Sequence, residues 1–417
     1  MTENAWLALY LLFILVVPLA IAGLALINTG LGRSRSAAHA MTSSLCVMSI
    51  AILTYFSWGG AIEGLVGGPY FGVWLRPFLR NVPWANPSAA ACLLPILSVA
   101  VSALIPLGSA ADRWRLSGAC LSTAVFAGFI YPLFARWAAH TEIFVSHTNG
   151  LIFPYGMTFL LDAGGSGRIQ VVGGLAALSL AWLLGSRSGK YSASGIPAAI
   201  PAHNGVFVLF GCMLAWAGWL GLNAAGAMLH IPAGLPAERL VLVVFNTTLA
   251  ACAAALAAAA TTRVRFRRPD ASLIANGWMA GLVASSAGCA TLKPVTGILT
   301  GLVAGVIVVL SVEMFELHLK VDDPCGSISV HAVCGIWGLL AAGIFSGSGA
   351  QFMAQLVGIA TLLGLIFPMT YGLNWLLSRF IPYRVSIDGE RQGLDLHELG
   401  ADAYPEFVVH ADEFMQR

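Results

Sequence analysis

Apolar runs of about 18 residues or more recur along the whole of this chain, each long enough to cross the hydrocarbon of a bilayer. That recurrence leaves few folds open. Backbone in lipid has to satisfy its own hydrogen bonds, so such runs are expected to be helices packed side by side. Charge content agrees. Asp, Glu, Lys and Arg make up 10% of the 417 residues against 58% hydrophobic, with a mean hydropathy of +0.82. A soluble domain carries about a quarter charged residues.

Eleven spans are read, at about 5–28, 40–58, 88–108, 116–136, 163–185, 204–222, 237–260, 272–290, 295–315, 325–346 and 351–378, with ends uncertain by a few residues. The first run is too long for a signal-peptide core and has no preceding positive region, so it is expected to remain as a span. Residues 1–378 then form an all-α transmembrane domain and 379–417 a cytoplasmic tail. A net charge of +2 gives no reason to expect nucleic acid. The eight cysteines are scattered through apolar sequence without metal or disulfide spacing, and read as small core residues. No nucleophile constellation, metal cluster, cofactor motif or phosphate loop suggests an enzyme.

An odd number of spans puts the termini on opposite sides, and Lys and Arg choose between them. One set of loops and the tail holds Arg33, Arg35, Arg113, Arg115, Arg187, Lys190, Arg263, Arg265, Arg267, Arg268, Lys320, Arg379, Arg384, Arg391 and Arg417. The other holds Arg76, Arg80, Arg136, Arg239 and Lys293. Fifteen against five places the N-terminus outside and the C-terminus inside.

Residues 321–338 carry the most informative stretch. Asp322, Asp323 and Pro324 are suited to starting a helix at a water boundary. An apolar run follows whose one ionisable group is His331. Positions four, seven and eleven beyond it are Gly335, Gly338 and Ala342, which share its helical face. The pattern recurs. Asp162 stands eight residues ahead of Gln170, and the same face then holds Gly174, Ala177 and Ala181. Eleven spans divide as five, five and one, with Gln170 and His331 each on the last helix of a half. Because five is odd, the halves insert in opposite senses, the inverted-repeat plan that places a shared site at mid-membrane.

Plainer readings stand beside these. A lone membrane histidine can simply bond a backbone carbonyl, although ionisable groups in a bilayer are costly and usually functional. Asp162 and Asp323 are better read as helix caps than as ligands. Gly297, Gly301 and Gly305 form a ladder that close helix packing explains, and Arg263 to Arg268 is most simply a cytoplasmic anchor.

Ala111-Asp112-Arg113, Leu161-Asp162-Ala163-Gly164-Gly165, His203-Asn204 and Gly218-Trp219-Leu220-Gly221-Leu222-Asn223 follow one another in order along the chain. So do Asn276-Gly277, Ala280-Gly281-Leu282-Val283, Gly393-Leu394-Asp395 and Ala403-Tyr404; Asp322-Asp323-Pro324-Cys325 followed by Val330-His331 and Cys334-Gly335 is the most specific stretch. On these motifs the chain resembles the ammonium transporter (Amt/Mep/Rh) family over nearly its whole length. The resemblance implies a homotrimer of eleven-span subunits in a bacterial inner membrane. Each subunit would hold one narrow pore in which two histidines handle a deprotonating ammonium ion.

Where the chemistry lies, this chain departs from that pattern. His331 matches the second pore histidine, while the first falls on Gln170, or on Ile169 if Ala163-Gly164-Gly165 is the anchor. Glutamine exchanges hydrogen bonds but takes up no proton near neutral pH, so a relay of two imidazoles is unavailable. The family's outer aromatic cage is also thinned. Trp137 matches its tryptophan, the phenylalanine positions fall on Leu94, Ser98 and Leu222, and the serine position on Gly226. Recruitment would then rest on other groups such as Trp216, Trp219 or Tyr131. Arg168 stands where an apolar residue is usual, facing either the pore or outward toward Glu142.

Two functions remain open. One is ammonium or ammonia transport through a pore lined by Gln170 and His331, with an altered proton relay. The other is an ammonium-sensing, poorly conducting relative that signals through its tail. Family sensors usually carry an output domain after the membrane part, and the sequence ends at Arg417, which favours transport. In the tail, Gly393, Leu394, Asp395 and Tyr404 match a regulatory latch that also couples to a PII-type protein. Leu399-Gly400-Ala401 departs from the pattern there.

Overall fold

The computed structural model describes residues 3–65, 78, 79, 82, 87–139, 160–230 and 237–404. Among these, all regular structure is helical, apart from two isolated bridges, Trp114 with Arg384 and Tyr191 with Pro197. Among the described residues, ten helices are long and apolar enough to cross a membrane. They are α1 (Asn4–Leu31), α2 (Ser34–Glu63), α3 (Ala89–Ser109), α4 (Leu116–Ala138) and α5 (Ser166–Leu184), then α6 (Gly205–Leu229), α7 (Glu238–Phe266), α9 (Pro294–His318), α10 (Ile328–Phe345) and α11 (Gly349–Leu377). Between α7 and α9 lies α8 (Ala271–Ser285), apolar but only 15 residues long.

One extent matters for function. The apolar run of α2 meets the helix breakers Gly59 and Gly60, where the sequence reading ends the span near residue 58. The helix continues to Glu63 because both glycines are packing sites. A Cβ on Gly59 would strike the Ala127 carbonyl, and one on Gly60 would stand 2.7 Å from Leu79. A carboxylate is thereby carried to the end of a membrane helix.

Small residues set how closely the helices approach. Along α9, a Cβ on Gly297 would lie 2.8 Å from the Asn246 side chain, and Cβ atoms on Gly301 and Gly305 would meet the Ala250 and Ala254 carbonyls of α7. Dispersion at this short range replaces the hydrophobic drive that lipid cannot supply between helices. Outward-facing positions are apolar instead: Leu15, Val206 and Leu256 are all exposed.

Charges gather at one end of the bundle. The Arg187 Nε donates to Asp322 at 2.9 Å and its Nη1 to Asp112 at 3.1 Å, while Arg113 donates to the Asp322 carbonyl at 2.8 Å. Burial works to raise the Asp322 carboxyl, but the Arg113 charge and the bonds from Arg187 outweigh it and hold the group at about 2. Glu390 adds a bond from Arg384 at 2.9 Å and one from the Ser188 N–H at 2.6 Å.

The segment after α11 closes over this end. Gly393, at φ +102°, lies against the Arg35 carbonyl, where a Cβ would come within 2.5 Å. Leu394 is fully buried. Asp395 accepts the backbone N–H groups of Ala38 (3.1 Å) and His39 (2.7 Å), capping the start of a helix 356 residues earlier. Glu398 does the same for Leu116 at 2.8 Å and bonds the His39 ring at 2.9 Å. Tyr404 reaches His203 at 3.2 Å.

Three outcomes are expected. Gly301→Leu should overpack the α7–α9 contact and cost roughly 1–3 kcal/mol or more, read as a lower midpoint of thermal unfolding in detergent. Asp395→Ala removes a cap worth about 0.5–2 kcal/mol and should speed amide exchange at residues 38 and 39. Because the Asp322 carboxyl titrates lower folded than at the unfolded value of about 3.9, its stabilisation is complete above that pH. It is lost as pH falls toward about 2, and Asp322→Asn should flatten this part of the acid-unfolding curve.

Candidate functional site

Two short helical turns of the same unusual kind open α5 and α10. Residues Ser166–Val171 and Ile328–Val333 are each wound as a π-helix. A glycine with positive φ, Gly165 at +88° or Gly326 at +68°, precedes each one. Three residues before that glycine stands an aspartate. Asp162 accepts the N–H groups of Gly167 and Arg168 at 3.0 and 2.9 Å, and Asp323 those of Ser327 and Ile328 at 3.0 and 2.7 Å. Burial pushes the Asp162 carboxyl up against the Arg168 charge and those bonds, and lifts Asp323 to about 6. Each turn thus starts on a capped amide cluster where an isolated helix end in lipid would be costly.

Gln170 and His331 lie on these turns, each eight residues beyond its aspartate. The two side chains meet. His331 Nδ1 and Gln170 Oε1 are 2.8 Å apart, with Gln170 0% and His331 4% exposed. With the amide oxygen as acceptor, the imidazole donates from Nδ1 and Nε2 is left as the acceptor. Gln170 Nε2 has no hydrogen-bond partner.

Crossing of the two turns is reciprocal. A Cβ on Gly174, four residues after Gln170, would strike the Ala332 backbone; one on Gly335, four after His331, would stand 2.7 Å from Val171. Each glycine therefore admits the residue that follows the polar side chain of the other helix. In the π turn the N–H of Gln170 reaches the Gly165 carbonyl at 3.1 Å. This turn holds one residue more than an α turn. Gln170 rotates toward His331, while Ile169 faces a cavity one step away.

That cavity is lined by Glu63, Leu94, Ser98, Tyr131, Arg168 and Leu222, with Gly226 against the Ala163 carbonyl. Trp137 is not among its described lining residues and stacks on Phe134 at 5.4 Å. Trp219 is fully buried elsewhere, donating to Ser286 at 3.1 Å, and Trp216 donates to Thr248 at 3.2 Å. Arg168 Nη2 donates to the Asp162 carbonyl at 3.2 Å; Glu142 lies outside the described residues.

Sequence reasoning passed over Glu63, whose carboxylate accepts from the Tyr55 hydroxyl. Its signal is an acidic residue just past an apolar run, beyond the end of the span read over 40–58. At the charged end of the bundle a second cavity is lined by Arg187, Lys190, Asn276, Asp322, Asp323 and Ser329.

Residues 8–404 match the model of the Ammonium Transporter Family. The ammonium transporter Amt2 of Archaeoglobus fulgidus is 32% identical over 94% of this chain and 86% of its own length. Amt2 of Haloferax mediterranei is 29% identical over 93% and 87%. A solved structure titled Sensor Amt Protein superposes with a TM-score of 0.83 at 25% identity, covering 95% of this chain and all of its own. The Candida albicans Mep2 structure, at 22% identity, shares the fold with a TM-score of 0.80 over 98% and 92%. Proteins of this kind are transporters and channels rather than enzymes, and they sit in the membrane through many helices, as the ten long apolar helices described above would. The chain belongs to the ammonium transporter family.

Proposed function

We propose that this protein moves ammonium nitrogen across the membrane through a pore between α5 and α10, with Gln170 and His331 at its centre. The observation that carries this is their 2.8 Å bond, made by two buried side chains from different helices. Intramembrane polar residues are expensive and mark substrate paths. The reciprocal Gly174–Ala332 and Gly335–Val171 contacts support two oppositely inserted halves. On this reading α8 completes eleven spans, the N-terminus lies outside, and residues 379–417 form the cytoplasmic tail. The Arg168 cavity is then the outer vestibule and the Asp323 cavity the inner one.

Ammonium enters beside Leu94, Ser98, Leu222 and Gly226, where lost aromatic faces remove about 0.5–2 kcal/mol of cation–π attraction each. Ammonium gives its proton to water on the outer side there, and ammonia continues past Gln170 and His331. With one imidazole instead of two, charge movement coupled to transport is slow or absent. Asp162 and Asp323 hold the two turns in shape. Gly393, Leu394, Asp395 and Tyr404 form the regulatory latch of a homotrimer in a bacterial inner membrane, on a face open to a PII-type protein.

The second reading is a sensor that binds ammonium and conducts poorly, and the Arg168 cation at the vestibule favours it. Proteoliposomes separate the two. Ammonia flux without a sustained current is expected on an ammonium jump; a sustained current refutes the altered relay, and binding without flux selects the sensor. Gln170→His is expected to raise the rate severalfold, and an unchanged rate would mean that substrate does not pass this residue.

A further inference from the structure

The cavity that Ile169 faces has two charged side chains among its described lining residues, Glu63 and Arg168. Its volume, about 20 Å³, is enough for roughly one molecule the size of water or ammonium. Glu63 reaches it from the end of α2, is 7% exposed, and accepts a hydrogen bond from the Tyr55 hydroxyl. A single neutral hydroxyl does not compensate a carboxylate held so far from water; a positive charge is needed as well. Arg168 brings one from α5. Both oxygens of the Asp162 carboxylate accept backbone N–H groups, from Gly167 and from Arg168 itself. The Arg168 side chain is anchored instead on a neutral oxygen, its Nη2 donating to the Asp162 carbonyl at 3.2 Å, and its charge lies in the cavity with Glu63.

We infer that Glu63 is the cation-holding group of this cavity and Arg168 a tethered competitor for it, so that Arg168 sets how weakly ammonium is held. The inference rests on the transport reading and deepens it at the entrance. In the substrate-free protein the guanidinium balances the carboxylate. An ammonium ion arriving there is drawn by Glu63 and repelled by Arg168, each unit charge acting through a partly desolvated medium. The pair leaves little net attraction for a cation, and the cavity fills only when ammonium is abundant. Ammonia carries no net charge and meets neither effect. Arg168 is thus a specificity-determining residue and Glu63 a binding residue, and no bond is made or broken at the pair.

Uptake by proteoliposomes holding the full chain, followed against ammonium concentration, tests this. Arg168→Gln removes the charge but keeps an N–H donor for the Asp162 carbonyl, and should lower KM about tenfold, the scale on which one neighbouring unit charge acts. The change should fall on KM more than on the maximal rate. Arg168→Lys keeps the charge and should keep the wild-type KM. Glu63→Gln keeps an acceptor for the Tyr55 hydroxyl and should raise KM about tenfold. Combining Glu63→Gln with Arg168→Gln should return KM close to the wild-type value, which damage to the fold would not do. A KM unmoved or raised by Arg168→Gln, an equal gain from Arg168→Lys, or a double variant no better than Glu63→Gln alone overturns the inference while leaving transport intact. Should the unaltered chain take up no ammonium nitrogen, the transport reading falls, and calorimetric titration of the purified protein with ammonium decides instead. Binding about tenfold tighter in Arg168→Gln and about tenfold weaker in Glu63→Gln upholds the competition; equal affinities overturn it.

Discussion

A single hydrogen bond between an amide and an imidazole, buried between two helices in a lipid environment, is the constraint around which the rest is arranged. Neither group is cheap to bury, and each lowers the cost of the other. For the bond to form, two helices must come close enough for a side chain on one to touch the backbone of the other. Gly174 and Gly335 provide that approach, since a Cβ at either would meet the opposite turn. Both turns must also start where they do, and Asp162 and Asp323 fix that by accepting amides that would otherwise be unpaired.

The π winding has a definite purpose in this arrangement. One additional residue per turn rotates everything that follows, so the same sequence wound as α-helix would aim Ile169 toward His331 and send Gln170 aside. Short π turns of this kind are frequent at functional sites. Away from the crossing, the bundle is held by ordinary means: small residues that let α7 and α9 touch, and an apolar exterior. At one end a buried set of arginines and carboxylates ties together loops from distant parts of the chain. The segment after α11 joins that set by capping two helix starts, so its position depends on the same loops that surround the second cavity.

Much of this was legible beforehand. Lengths of apolar runs predicted the helices, and the family resemblance is matched over residues 8–404. The spacing from Asp162 to Gln170 and from Asp323 to His331 already singled out the two residues that meet. A sharper form of the repeat went unread: Asp162, Gly165 and Ser166 recur as Asp323, Gly326 and Ser327 at identical spacing. Glu63 was missed because the second span was read only to about residue 58, whereas Gly59 and Gly60 are packing contacts within a helix that runs on to it. Trp137 and Trp219 were drawn toward the entrance by their chemistry, but chemistry does not report direction, and both side chains settle among other partners.

The sequence by itself determined the solvent, the helical class, the family and the pair of polar residues, because hydropathy and spacing are properties of the chain alone. Only the tertiary structure decided which atom of Gln170 is bound and which is left over, that Arg168 and Glu63 share a cavity, and that Ser329 lines another. Those outcomes depend on helix rotation, where a shift of one residue turns a side chain by roughly a quarter of a turn. Rotation is set by which small residues meet across the crossing, and nothing in the linear order says which two will meet.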